Sequence, residues 1–208
     1  MLAIVDYGVG NLFSLQSSLQ RIGEETLVTS DPQQLAAADR IILPGVGAFG
    51  DAAAKLHANG LDGVLKKLVA DGKPLRGICL GMQLLFEKSY EYGEHEGLGL
   101  LKGVIRSIGD VVPKDLKIPH MGWNALKFHK QHVLLKYIHE GDCVYFVHSF
   151  YATDCQDSVL ATAEYGAELT AAVAKDNVMG CQFHPEKSGE IGLKILRAFC
   201  EMKAGQLC

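Results

Sequence analysis

Leu75-Arg76-Gly77-Ile78-Cys79-Leu80-Gly81-Met82-Gln83 decides the fold, because an apolar run ends in one glycine-flanked cysteine and a helical pattern starts at once. Pro74, Leu75 and Ile78 read as a short buried strand, and Leu80, Leu84, Leu85 and Phe86 as the apolar positions of the following helix. A strand-to-helix turn of this kind exposes its cysteine, and the glycines let the chain turn without a Cβ clash. The unpaired N–H groups at the helix start favour thiolate over thiol, which is the reactive form. The competing reading is a core cysteine at a crowded strand end, since free cysteine is among the most buried residue types.

Two distant segments favour chemistry over packing. Gly180-Cys181-Gln182-Phe183-His184-Pro185-Glu186 closes another apolar run with a histidine and a glutamate two residues apart. A cysteine nucleophile needs such a pair: the imidazole takes the thiol proton and later gives one to the leaving group, and a carboxylate holds its tautomer. On extended chain His184 and Glu186 would point the same way. Pro44-Gly45-Val46-Gly47-Ala48-Phe49-Gly50 follows the run Arg40-Ile41-Ile42-Leu43, and its glycines around Val46 can aim backbone N–H groups at a developing oxyanion. Phosphate binding is disfavoured there, because no Gly-Lys-Ser/Thr follows and the third glycine of a dinucleotide fingerprint is missing.

Outward from these segments the order is strand then helix, repeated. Leu2–Val5 reads as a strand, Asn11 caps a helix with the apolar face Leu12, Leu15, Leu19 and Ile22, and Leu27 and Val28 form a second strand. Ser30-Asp31-Pro32 starts a helix, 41–43 is a third strand, and Leu61, Val64, Leu65 and Leu68 mark another helix. Buried βαβα units predict an α/β fold, a mostly parallel central sheet flanked by helices in flavodoxin-like fashion, with ligands at the carboxyl ends of the strands. The second half has another rhythm. Runs at 97–108, 125–128, 143–147, 159–165 and 169–174 read as strands with few helices between, antiparallel pairs that give that sheet an antiparallel extension or fold over it. A last helix from about Glu190 carries Ile191, Ile195, Phe199 and Met202 at helical spacing, and 87–97, with its glutamates and tyrosines, reads as an exposed loop. No repeat or linker interrupts the chain, so 1–208 is expected to be one domain.

Composition narrows the functional classes. A chain of 208 residues with 48% hydrophobic side chains can build a sizeable core, and a formal charge of −4 gives no footprint for nucleic acid. The apolar start stops at Asp6, too short for a span, so no membrane role is expected and the cytoplasm is the expected compartment. Cysteines at 79, 143, 155, 181, 200 and 208 show no disulfide-scaffold or zinc spacing. Cys143 and Cys181 read as packing residues and Cys208 as part of an exposed tail. His129, His132 and His139 lack a carboxylate or cysteine to complete a ligand set, so neither a metal nor another cofactor is expected. Trp123, the single tryptophan, suits either an interface anchor or the core.

With these residues in hand, the chain resembles the class I (triad) glutamine amidotransferases. The elbow, the His-Pro-Glu triplet and the glycine loop stand in that family's order across most of the chain. Asp6-Tyr7-Gly8-Val9-Gly10-Asn11, Pro44-Gly45-Val46-Gly47-Ala48-Phe49 and Pro119-His120-Met121-Gly122-Trp123-Asn124 are most similar to the glutaminase subunits of imidazole glycerol phosphate synthases. Amidotransferases of other biosynthetic synthases usually carry Pro-Gly-Gly in the loop. The resemblance implies that Cys79, His184 and Glu186 hydrolyse glutamine to glutamate and ammonia. It further implies an oxyanion held by N–H groups of Leu80 and Gly45-Val46-Gly47, and glutamine recognised by Gln83, one turn beyond Cys79, and by main-chain groups of His148, Ser149 and Phe150. Many relatives have tyrosine where this chain has Phe150. A separate (β/α)₈-barrel cyclase subunit is the implied heterodimer partner, which receives the ammonia for histidine biosynthesis. The competing readings are a stand-alone cysteine hydrolase, of γ-glutamyl hydrolase or peptidase type, and a non-catalytic binding module.

Overall fold

The computed structural model describes residues 1–202. Strands β1 (Leu2–Val5), β2 (Thr26–Thr29), β3 (Arg40–Leu43) and β4 (Leu75–Ile78) alternate with helices α1 (Leu12–Arg21), α2 (Pro32–Ala37), α3 (Phe49–Ala58) and α4 (Leu61–Ala70). The caps are those the sequence offers: Asn11 accepts the Ser14 N–H, and Asp31 accepts the Gln33 N–H ahead of Pro32. Helix α3 has no side-chain cap and was not foreseen. After β4 come the one-turn helix α5 (Leu80–Gln83), the short strands β5 (Lys88–Ser89) and β6 (His95–Glu96), and β7 (Val104–Ser107). The chain ends with β8 (His120–Phe128), β9 (Cys143–His148), β10 (Phe150–Thr153), β11 (Val159–Glu164), β12 (Glu168–Lys175), β13 (Val178–Cys181) and α6 (Gly189–Cys200).

Nine strands form one sheet in the order β2-β1-β3-β4-β13-β12-β11-β8-β9. Its first five are parallel, and from β13 onward each pair is antiparallel. The parallel core and antiparallel extension are as expected. Strands that do not extend it form a second sheet, β10-β7-β5-β6. The parallel part of the main sheet has a core on each face, as β1 shows: Leu2 and Ile4 join the core under α1 and α6, while Ala3 and Val5 join the core under α2 to α4.

Several local expectations give way. Leu84, Leu85 and Phe86 are buried but lie beyond the helix, which stops after one turn. Residues 97–108 supply only β7 and then a 3₁₀ turn, because Gly97 must pass against the Phe86 carbonyl and the chain there runs as a loop. The 87–97 stretch forms the β5–β6 hairpin, and within it Glu91 is buried. Cys143 is exposed at the start of β9 rather than packed, while Cys181 is buried. Cys208 lies outside the described residues. Among the described residues no helix is long and apolar enough to cross a membrane.

Candidate active site

Cys79 directly follows β4 in a conformation that only a tight elbow demands, with φ 54° and ψ −113°. The neighbouring glycines are required by close approach. A Cβ on Gly77 would fall 2.4 Å from the Gly81 carbonyl oxygen, and one on Gly81 only 1.9 Å from that of Leu43. The Met82 and Gln83 amides both donate to the Cys79 carbonyl, which winds α5 directly onto the elbow. Leu80, the first helical residue, therefore has an amide with no partner within its own helix.

β13 runs parallel to β4 and delivers His184. The Cys79 amide donates to the Cys181 carbonyl at 2.8 Å, so the two strand ends are pinned together. The following segment is not extended. Residues Pro185–Lys187 form a 3₁₀ turn, and this turn, rather than strand alternation, brings Glu186 Oε1 to 2.7 Å from His184 Nδ1. Ser188 Oγ donates to the His184 carbonyl and accepts the Tyr145 amide, while the His184 amide donates to the Tyr145 carbonyl. Burial opposes a charge on His184, but hydrogen bonds to Cys79 and Glu186 and their negative charge win, pushing the imidazole up to about 10. That keeps a charged imidazolium beside Cys79 and Glu186.

A cavity of about 300 Å³ opens over Cys79, at the carboxyl ends of the parallel strands. Val46, Gly47, Leu80, Gln83, His148, Ser149, Phe150 and His184 line it with Cys79. Glu186 stands behind His184. Gly45 lies beneath the loop, where a Cβ would meet the Gly81 amide nitrogen at 2.8 Å and Leu80 Cβ at 3.0 Å; only Gly47, at φ +91°, needs glycine for its backbone angle. The sequence profile of the family "Glutamine amidotransferase class-I" matches residues 3–202.

The chain belongs to the class I glutamine amidotransferases.

Its relatives include the "Imidazole glycerol phosphate synthase subunit HisH" of Caldanaerobacter subterraneus subsp. tengcongensis, 50% identical over 97% of this chain and 98% of that one. The proteins of the same name from Sulfurimonas denitrificans (50%, 98% and 99% covered) and Bacillus subtilis (48%, 99% and 98% covered) are equally full-length matches. A crystal structure of a glutamine amidotransferase superposes with a TM-score of 0.75 at 20% identity, covering 96% of this chain and 97% of that one. The structure of PurLQS from Thermotoga maritima gives 0.73 at 22%, covering 96% of each chain. At such identities these two share the fold alone.

Three further residues of this amidotransferase shape the cavity. Tyr7, almost fully buried, donates its hydroxyl to the Pro44 carbonyl at 2.8 Å and so clamps the glycine loop. Burial and then the charge of Cys79 push its phenol upward. Glu91 lines the cavity and accepts the Phe49 amide at 2.7 Å; burial raises its carboxyl above the ordinary range. A glutamate in a run of exposed charges gave no sign of this. Gln182, one before Phe183, is fully buried and sets Nε2 at 3.7 Å from Cys79 Sγ. No group of three or more His, Cys, Asp or Glu able to hold a metal occurs among the described residues. His129 instead meets the Thr162 hydroxyl, and His132 caps a 3₁₀ turn.

Proposed function

We propose that this chain, one amidotransferase domain over 1–208, is the glutaminase subunit of an imidazole glycerol phosphate synthase working in the cytoplasm. The observation that carries the reading is a strained Cys79 facing a charged His184–Glu186 pair across an amino-acid-sized cavity, on a chain half identical to full-length HisH subunits. The Cys79 thiolate attacks the side-chain amide carbon of glutamine. The oxyanion is held by the Leu80 amide and by N–H groups of the Gly45-Val46-Gly47 loop. His184 gives its proton to the departing ammonia, then takes one from the water that releases glutamate from the thioester, and Glu186 holds the imidazole throughout. Gln83 and the main chain of His148, Ser149 and Phe150 hold the substrate.

The ammonia passes to a separate cyclase subunit with a (β/α)₈ barrel, and the pair forms a heterodimer. The test is glutamine hydrolysis by the purified chain with and without that cyclase. Hydrolysis that rises on adding the cyclase is expected; full turnover by the chain alone would favour a stand-alone hydrolase.

A further inference from the structure

His120 and His148 stand opposite each other across β8 and β9, and both are buried. Their hydrogen bonds fix their protons. Asn124 Nδ2 donates to the Glu164 carbonyl at 2.8 Å, so its Oδ1 faces His120 Nε2, also at 2.8 Å, and that nitrogen must carry a hydrogen. His148 Nδ1 lies 2.8 Å from the Phe150 carbonyl oxygen and must carry one too. The remaining nitrogens, His120 Nδ1 and His148 Nε2, are 2.9 Å apart. A neutral imidazole has one N–H, so two neutral rings would spend both hydrogens on the outer contacts and leave two lone pairs face to face. The set closes only with a third proton. Without it the inner contact sets acceptor against acceptor and opens, and the His148 ring loses its hold on β8.

The chain continues to the site. The Phe150 carbonyl also accepts Gln83 Nε2 at 3.0 Å, the same nitrogen donates to Gln182 Oε1 at 3.0 Å, and Gln182 Nε2 reaches Cys79 Sγ. An unbroken run of contacts thus joins Asn124 on β8 to the nucleophile.

We infer that His120 and His148 are positioning residues whose shared proton locks the amide of Gln83, with His120 on the strand that presents Trp123 at the surface. This rests on the proposed role of Gln83 in recognising glutamine. His120 is stacked between the rings of Phe146 and Tyr165, and the Tyr165 hydroxyl is engaged by the Lys117 carbonyl. Among the described residues no carboxylate meets either ring, and the charged group facing His148 is His184. Burial pushes both rings down, His148 to about 4, where the charges of His120 and His184 add to burial against the Phe150 carbonyl. The lock is therefore held in acid and opens as pH rises through the titration of the pair, below the ordinary histidine range.

The test uses the full chain. Imidazole nitrogen NMR is expected to show one proton taken up by the two rings as a unit, with His120 Nε2 and His148 Nδ1 protonated before and after. Rings that titrate independently, or outer nitrogens without hydrogens, would overturn the inference. The functional arm compares Cys79 alkylation by a glutamine-mimicking electrophile with that by iodoacetamide, so that thiolate titration cancels in the ratio. The ratio is expected to fall about fivefold as pH rises through the inflection, the effect of one hydrogen bond. His120→Gln offers two amide N–H donors without a charge and should hold the high ratio at every pH. Asn124→Asp, at a half-buried position, sets a carboxylate against His120 and should move the inflection upward. A ratio independent of pH in the wild type, or an unmoved inflection in Asn124→Asp, would overturn the coupling alone. Failure of both reagents to label Cys79 would overturn the proposed function and the coupling with it.

Discussion

Cys79 is held at a positive φ that costs a residue bearing a Cβ on the order of 1–2 kcal/mol, and the parallel strands on either side keep it there. Cys79→Gly should therefore stabilise the fold by about 1 kcal/mol in urea denaturation while removing glutamine hydrolysis altogether. An unchanged or lowered midpoint would show that the elbow is not strained. In the reconstituted complex Cys79→Ala should abolish synthesis driven by glutamine but leave synthesis driven by ammonia nearly intact, since the proposed function puts the nucleophile and the cyclase chemistry on different chains. The charge on His184 has its own signature. With its folded value raised to about 10, the imidazolium is present throughout the neutral range and is lost only as pH rises through that value. Imidazole nitrogen NMR should then show His184 carrying both ring hydrogens at about pH 7 and about pH 9 alike, and a ring that loses its charge near the ordinary histidine value would overturn this. That Cys79, His184 and Glu186 would come together was legible because these residue types have few other uses at that spacing. Tyr7, Glu91 and Gln182 were not, because each acts through contacts more than thirty residues away in sequence that no local pattern encodes.

The elements around the elbow show where pattern reading holds and where packing overrides it. The strands and caps of the first half follow from buried apolar runs and from Asn11, Asp31 and Pro32, which state their positions locally. Helix α5 is different: Leu84, Leu85 and Phe86 continue a helical pattern, yet the chain leaves the helix because amides of the 98–101 loop take the carbonyls of Leu84, Leu85 and Phe86. Strand β4 also hides a charge that an apolar reading passed over. Arg76 is 1% exposed and donates to the Ile195 carbonyl of α6 at 3.1 Å and to Cys181 Sγ of β13 at 3.3 Å, with its Nε unpartnered. It ties the elbow strand to the histidine strand and to the last helix. Arg76→Ala should cost about 3 kcal/mol by leaving a cavity and two orphaned acceptors. Arg76→Met, of similar length, should cost much less, because a buried charge is itself expensive to keep. Chemical denaturation of both variants decides this: equal losses would mean that the guanidinium contacts, and not the filled volume, hold the three elements together.

At the scale of the whole molecule, the active-site cavity and the exposed face of β8 belong to one sheet. Met121 and Trp123 are 59% and 56% exposed on a strand whose register sets Trp123 opposite Tyr145, and the Tyr145 carbonyl holds the His184 amide. Neither side chain is used by the core, so of the two readings open for Trp123 the surface one stands. Trp123→Ala should leave the fold of the free chain unchanged and weaken cyclase binding by about 2 kcal/mol, roughly 30-fold, as loss of an aromatic anchor does. Titration of the cyclase into each variant measures it, and an equal affinity would move the docking face elsewhere. Docking should also change turnover. The glycine loop is clamped at Pro44 by Tyr7 and crowded at Gly45, while Val46 is 44% exposed at the cavity mouth, so the 45–46 peptide is the part left free to turn. Only the orientation that points its N–H inward completes an oxyanion hole with the Leu80 amide. A partner seated beside it can shift that two-state population without touching the thiol. One missing oxyanion donor costs about 10²- to 10³-fold in kcat, so activation of the free chain by the cyclase and its ligand should reach that order and appear in kcat, with the glutamine KM moving much less. Steady-state kinetics on the chain, the complex and the ligand-bound complex separate the cases. Activation carried mainly by a fall in KM would mean that docking completes the substrate pocket and leaves the oxyanion hole as it was.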